Sequence, residues 1–379
     1  MKLEIKREQL LKPLQHVIGV VERRQTLPIL SNVLLVARQE ELICTATDME
    51  VELSSRIELA KEEATGETTK PSVIEPGETT LPARKLLDIL RALPEDATVR
   101  LSVDAVTATL RCGRSRFTLL TLPAAEFPTL GDLPFEGNSR LSQRTLKTLI
   151  ERTHFAMAQQ DVRYYLNGLL LEVDGNRLRA VATDGHRLAL REVEAETTPA
   201  AFQQQVIVPR KGVQELLRLL DDTETETTLK LGTNHVQTTV DGIRLTSKLI
   251  DGKFPDYQRV IPREGELVII ADRLALKTAL SRAAILANEK YRGVRLQAEN
   301  WLLRIQAHNP EQEEAEEEVE VNYNGGPLEI GFNVTYLLDA LSALPGELVR
   351  LSFTDASSSC LIQEPESGTS LYVVMPMRL

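Results

Sequence analysis

Three stretches of this sequence repeat one pattern. "TTLPARKLLDILRALPEDATVRLSV" (79–103), "VIVPRKGVQELLRLLDDTETETTLKL" (206–231) and "LEIGFNVTYLLDALSALPGELVRLSF" (328–353) each read as a short strand, a helix with leucines at i, i+3, i+4 spacing, and a new strand. Each copy closes on an aromatic-Pro or Met-Pro stretch: "AEFPTL", "GKFPDY", "VVMPMRL". The copies also open alike, on "KREQLLKPLQHVIGVV", "SQRTLKTLIERTHFAMA" and "ADRLALKTALSRAAILA", all helical by leucine periodicity and all basic. An internal repeat constrains a fold strongly, because every copy must bury the same apolar pattern. The expectation is three units, 1–130, 131–260 and 261–379, each with two helices and several alternating strands joined by hairpins. That is an α+β fold with antiparallel sheets, because a parallel α/β fold would alternate strand and helix throughout.

Composition narrows the class. Hydrophobic residues make up 42% and charged residues 26%, the values of a soluble globular protein. No run of eighteen apolar residues occurs and the opening "MKLEIKREQL" is charged, so neither a membrane span nor a signal peptide is expected. Cys44, Cys112 and Cys360 form no CxxC pair or disulfide framework and fit a reduced cytoplasm. His16, His154, His186, His235 and His308 show no HxxxH or HxH spacing, so no metal or other cofactor is expected.

"VATDGHRLAL" (181–190) admits two readings. Asp184 and His186 flank a glycine as an acid–base pair on a turn would, which suits a hydrolase. Asp-Gly is also a strong two-residue hairpin signal, requiring positive φ at both central positions, and its flanks alternate like strands. The earlier "TATDMEVEL" shares Ala-Thr-Asp but has Met49 and Glu50 where the second copy has Gly185 and His186. Ala-Thr-Asp therefore belongs to the scaffold, and His186 is particular to the second copy.

Net charge is −11, which opposes nucleic-acid binding on average. Its distribution does not. The opening segments (2–24, 139–163, 271–292) and the later helices (82–93, 209–220, 332–344) together hold 22 Lys and Arg against 10 Asp and Glu, leaving about −23 for the remainder. Basic helices can simply be solvated faces, but five of six similar helices being basic favours one basic side and an acidic sheet side. Among weaker signals, Arg163, Tyr164 and Tyr165 could stack on bases or pack a strand. "EQEEAEEEVEVN" (311–322) reads as a solvated strand or loop, and 61–80 as a long loop. The closing "SLYVVMPMRL" reads as a core strand or a groove wall.

The strings "RQTLPILSNVLL", "PARKLLDILRALP", "RSRFTLLTLPAAEFP", "QDVRYYLNGLLLE", "ATDGHRL", "VPRKGV", "TSKLIDGKFPDYQRV", "RAAILANEKYRGVRL", "HNPEQEEAEE", "EIGFNVTYLLD" and "YVVMPMRL" run in this order over the whole chain. In that order and spacing the sequence resembles the bacterial beta sliding clamps of DNA polymerase III; its 61–80 stretch is longer than the family's pattern. The resemblance implies a head-to-tail homodimer forming a six-domain ring, with helices lining the hole and sheets outside. Duplex DNA, held without regard to sequence, threads the hole. DNA polymerases, a clamp loader and repair proteins bind through short peptide motifs, and the protein is a cytoplasmic processivity factor without catalysis of its own.

By similarity the partner-peptide pocket takes Leu166, Thr183, Gly185, His186, Arg187 and Leu188, with Pro255, Arg259 and Val260. It also takes Asn333, Tyr336, Ser359, Val373, Val374, Met375, Pro376, Met377, Arg378 and Leu379. Ser357 and Tyr291 stand beside it, where the family pattern leads one to expect Val and Phe. Implied DNA contacts are Arg24, Arg84, Gln160, Tyr164, Tyr165 and Lys211. For ring closure, Arg111, Arg114 and Arg116 alternate with Phe117 and Leu119 on one edge. The opposite edge carries Ile285 and Leu286 beside Glu311, Glu313, Glu314, Glu316 and Glu317. A basic and an acidic edge on one arc can meet only between two arcs.

Overall fold

A computed structural model of the protein describes residues 1–21, 27–39, 41–59, 72–131, 133–263, 265–366 and 368–378. Among these there are six α-helices: α1 Arg7–Val17, α2 Ala83–Ala92, α3 Gln143–Glu151, α4 Arg210–Leu219, α5 Arg273–Ala283 and α6 Val334–Ala343. They fall two to each sequence copy, and the strand pairings are antiparallel. The opening helices are shorter than the basic segments suggested. Lys2–Lys6 is a strand paired with Thr98–Val103, because Leu3 and Ile5 alternate into the core, and α1 starts only at Arg7. Likewise Gly137–Ser142 is a strand before α3, and Leu267–Asp272 is one before α5.

By the density of its internal contacts the chain groups into two compact units, each drawing on more than one sequence copy. The first holds Met1–Gln143, Gln214–Asp221 and Thr225–Leu249; the second holds Arg144–Val213, Asp222–Glu224 and Ile250–Leu379. The reason is backbone pairing between copies. In the first unit Ile243–Lys248 of the second copy ladders onto Val51–Glu58 of the first, with Ile243 opposite Ser55. In the second unit Arg187–Glu194 ladders onto Ser370–Val374 of the third copy, with Arg187 opposite Val374. Each unit also carries a sheet from one copy alone. In the first its strand order is Ser72–Glu75, Lys2–Lys6, Thr98–Val103, Thr107–Cys112, Ser115–Leu120. In the second it is Glu314–Glu320, Leu302–His308, Gly293–Glu299, Leu328–Asn333.

The helices bury one leucine-rich stripe each. In α2, Leu86, Leu87 and Leu90 are buried while Arg84, Lys85 and Asp88 face solvent. The arginine at the head of each opening helix does not contribute to a free basic face. Arg7 donates through Nε to Leu90 O at 2.7 Å and through Nη2 to Arg91 O, satisfying carbonyls at the end of α2. Arg273 does the same for α6, reaching Gly346 O at 2.5 Å and Leu341 O at 3.1 Å. Arg144 instead pairs with Asp222 and Glu224 at 2.6 Å each.

In the first unit, Glu52 lies 4% exposed with Oε2 accepting from Leu130 N at 2.9 Å, while Arg244 stands 4.0 Å from Oε1. Burial pushes its carboxyl above the ordinary range. Between the ordinary and the raised value the folded chain keeps a proton that the unfolded chain has lost, so acidification through that window adds stability. Glu52→Gln should therefore raise the melting temperature at pH 7 by a few degrees, and less toward pH 5. A calorimetric scan showing a fall at pH 7 would mean that Leu130 and Arg244 outweigh desolvation.

Candidate functional site

The "ATDGH" segment is a turn built from side-chain hydrogen bonds. Thr183 Oγ1 donates to Arg187 O at 2.6 Å and accepts from Gly185 N at 3.1 Å. Asp184 Oδ1 accepts from His186 N and Arg187 N at 2.9 and 3.0 Å. Only Gly185 has positive φ, +89°, so the expected two-residue turn with two left-handed positions is not formed. Strand pairing ends at Thr183–Leu188, and the Asp184 side chain closes the longer connection. The first copy repeats the arrangement: Thr47 Oγ1 with Val51 O and Met49 N, and Asp48 Oδ1 with Glu50 N and Val51 N. There Met49 takes the left-handed position at φ 76°.

This geometry does not support the hydrolase reading. Asp184 Oδ2 accepts from Arg187 Nε at 3.1 Å, so both carboxylate oxygens are engaged by the hairpin, and neither is bonded to the His186 imidazole. His186 is exposed, and its carbonyl accepts from Met375 N at 2.9 Å.

Beside the turn, within the second unit, lies a pocket of about 170 Å³ lined by Leu166, Thr183, Gly185, Arg187, Leu188, Pro255, Val260, Val373 and Met375. Arg163 and Tyr257 complete it. An apolar cavity of about 150 Å³ holds a benzene-sized group, so this one suits a single large apolar side chain. Its floor belongs to a buried cluster of Leu166, Leu170, Val181, Leu188 and Val373, formed where two copies share a sheet. Arg187 holds the wall. Its Nη1 reaches Asp339 at 2.5 Å and its Nη2 reaches Phe155 O at 2.8 Å. The Tyr336 ring lies 4.5 Å from its guanidinium carbon.

Not every expected pocket residue lines that pocket. Pro376, Met377 and Arg378 line a separate depression of about 350 Å³ with Arg295, Gly331 and Ser357, fixed by Met377 N donating to Gly331 O at 2.9 Å. Asn333 caps α6, accepting from Thr335 N at 2.9 Å, and also donates toward Tyr291 O. Tyr336 stacks beneath Arg187, Val374 is buried in the sheet, and Ser359 is half-buried outside both depressions. Arg259 is exposed and paired with Asp256 at 2.8 Å. Leu379 lies outside the described residues.

Arg163 and Tyr257 were not anticipated. Arg163 sits one residue before the two tyrosines that drew attention, and it grips Asp161 through Nε and Nη2 at 3.0 and 2.9 Å, holding that carboxyl down to about 2. Tyr257 lies inside "FPDYQRV", buried, its hydroxyl bonded to Glu172 and Arg179.

Of the implied DNA contacts, Arg84 is exposed and donates to Val21 O at 2.6 Å. Gln160 is exposed with φ 55°, and Lys211 is half-buried. Tyr164 is exposed, whereas Tyr165 packs against the pocket's cluster; their rings meet edge-on at 5.8 Å. Both belong to a 3-10 turn, Tyr164–Leu166, not to a strand. Arg24 lies outside the described residues, as does most of the 61–80 stretch.

The two charged edges are outer strands of their sheets. Ser115–Leu120 carries exposed Arg116, with Arg111 and Arg114 exposed in the hairpin before it. One expectation is corrected here. Leu119 is 8% exposed and faces its own core, while Leu120 is 73% exposed, because alternation sends successive side chains to opposite faces. Phe117 is half-buried. On the other edge, Glu314–Glu320 exposes Glu314, Glu316, Glu318 and Glu320, with Glu311 and Glu313 exposed before it. Glu317 is ion-paired to Arg282. Ile285 is 77% exposed and Leu286 half-buried.

The chain matches three successive family models: the N-terminal domain of the DNA polymerase III beta subunit over residues 1–131, its central domain over 140–256 and its C-terminal domain over 258–378. It is 56% identical to the beta sliding clamp of Pseudomonas aeruginosa over 379 residues, covering 100% of both chains. It is 49% identical to that of Escherichia coli over 380 residues, again covering 100% of both. The crystal structure of the DNA polymerase III subunit beta from Pseudomonas aeruginosa superposes with a TM-score of 0.94 at 55% identity, covering 100% of each chain. A sliding clamp from the same organism bound to griselimycin gives 0.93 at 56% identity, also with 100% of each chain covered. With one family model matched by each sequence copy, and relatives aligned from end to end, the chain belongs to the DNA polymerase III beta subunit family of sliding clamps.

Proposed function

We propose that this protein is a DNA sliding clamp. Two copies close head to tail into a ring around duplex DNA and tether replicative and repair polymerases for processive synthesis. The observation that carries the reading is the run of three beta-subunit domain matches over residues 1–131, 140–256 and 258–378. On this reading the domains are 1–130, 131–260 and 261–379. The apolar pocket beside Arg187 takes the anchor side chain of a partner peptide, and the depression at Pro376–Arg378 takes the flanking residues. Leu120 on the basic outer strand meets Ile285 and Leu286, which follow α5, between copies, while the opposite charges of the two edges fix direction. The protein acts in the cytoplasm as a processivity factor with no reaction of its own. Arg84 and Lys211, with Arg24, Gln160, Tyr164 and Tyr165, contact phosphates without reading bases.

Loading on circular DNA tests this. With a clamp loader and ATP, the protein should remain on a nicked plasmid through gel filtration and be lost once the plasmid is cut to a linear form. Retention on the linear form would point to ordinary binding rather than encirclement. Arg84→Glu with Lys211→Glu should lower loading about tenfold or more without unfolding the protein, since each reversal replaces an attraction to phosphate by a repulsion. A preference between two DNA sequences at equal salt would contradict the phosphate-only contact.

A further inference from the structure

The turn that carries Thr47 repeats the one that carries Thr183, and the strand register beside it repeats too. Glu52 lies between Thr47 and Thr246 in its sheet, as Leu188 lies between Thr183 and Val373. Leu188 lines the apolar pocket beside Arg187, so a carboxyl stands where the second unit has a leucine. A neighbouring position differs as well: "LICTATD" (42–48) has Ile43 where "LRAVATD" (178–184) has Arg179. Arg179 bonds Glu172, Glu192 and Tyr257, so its sheet face carries a network of polar pairs. In the first unit the matching face is a depression of about 740 Å³, lined in part by Leu34, Val36, Ile43, Glu52 and Arg244.

Two groups in this depression are left with bonding capacity among the described residues. Glu52 is only 4% exposed; its Oε2 accepts from Leu130 N, while its Oε1 accepts no hydrogen bond. Arg244 Nη2 stands 4.0 Å from Oε1, too far for a hydrogen bond, and its guanidinium has no other side-chain partner. Arg38 and Arg56 are already tied to Glu41. A group seated between Oε1 and the Arg244 guanidinium must donate on one side and accept on the other. A carboxylate would face Glu52 and an ammonium would face Arg244, each a repulsion, whereas a carboxamide offers an N–H side and an oxygen side. Leu34, Val36 and Ile43 supply an apolar bed in the same depression. We propose that this depression binds an extended segment of a partner protein that carries an asparagine or glutamine between apolar residues. The surface shares no residue with the pocket beside Arg187.

Methyl NMR gives a direct test. The full-length protein, labelled at isoleucine, leucine and valine methyls, is titrated with the capped peptide Gly-Val-Asn-Val-Gly. The Ile43 and Leu34 methyls should shift saturably while those of Val373 stay still. Aspartate or lysine in place of the asparagine should weaken binding about tenfold, because each sets a like charge against Glu52 or Arg244. Glu52→Leu, which copies the residue of the second unit, should fold and bind about tenfold more weakly or worse. Glu52→Gln keeps an acceptor for Leu130 N but turns an N–H toward the ligand, so it should lose binding likewise while melting no lower than the parent. An unmoved Ile43 methyl would overturn the proposal, as would equal binding of the three peptides. So would full binding by Glu52→Gln, or shifts confined to Val373, which would place the peptide in the pocket beside Arg187.

Discussion

Ile285→Asp should turn the protein into a folded monomer. Ile285 is 77% exposed in the isolated chain, so the substitution leaves the core of its own unit untouched. In the proposed dimer the same position is covered by the apolar edge of the partner, and a carboxylate there would be buried without a cation. Ion pairs at the rim are each worth about 0–1 kcal/mol and cannot compensate. A cost of roughly 4 kcal/mol weakens association about a thousandfold. Sedimentation at low micromolar concentration should show one species of about half the parent's mass. Adding Leu286→Asp deepens the effect but also strains the fold, because Leu286 is already half-buried. An intact dimer of the single variant, with unchanged circular dichroism, would place the interface elsewhere.

Arg187→Ala should abolish peptide binding and destabilise the second unit together. One guanidinium serves Asp184, Asp339 and Phe155 O while lying over the Tyr336 ring, and its side chain is only 13% exposed. Removing it leaves two carboxylates and a carbonyl without that donor. Breaking a partly buried pair in this way costs about 3 kcal/mol. The pocket then loses a wall as well as a donor, so an anchor residue worth about 2 kcal/mol or more is released. Arg187→Lys should recover part of the stability but little binding, since an ammonium cannot bridge three acceptors in one plane. Denaturant melts and peptide anisotropy on both variants separate the two effects. Full binding by Arg187→Ala would show that the pocket is set by the sheet alone.

Much of this was legible because the repeat was. Leucine spacing marked the helices, alternation marked the strands, and Ala-Thr-Asp marked a hairpin shared by two copies. Sequence periodicity does not reveal which copies share a ladder, and two such ladders join strands of different copies into one sheet. The turn at Asp184 differed for a related reason: a carboxylate that bonds two amides does the work expected of a second left-handed residue. On the basic edge, Phe117 and Leu119 looked like one outward pair, but strand parity turned Leu119 into the core and left Leu120 outside. Arg163 and Tyr257 join the pocket through folding that no local motif signals.

The arginines at the heads of α1, α3 and α5 change how DNA binding should be read through its salt dependence. A phosphate contact is felt as counterions returning to bulk solution, about 0.9 per phosphate along duplex DNA. Arg7, Arg144 and Arg273 already have carbonyls or carboxylates as neighbours, so they displace few ions when DNA arrives. The slope of affinity against salt would then track only the cations left facing solvent, and fall well short of the basic residues counted along the helices. A shallow slope also means a loose ionic hold, and the proposed ring, travelling along the duplex, would be better served by few released ions than by many.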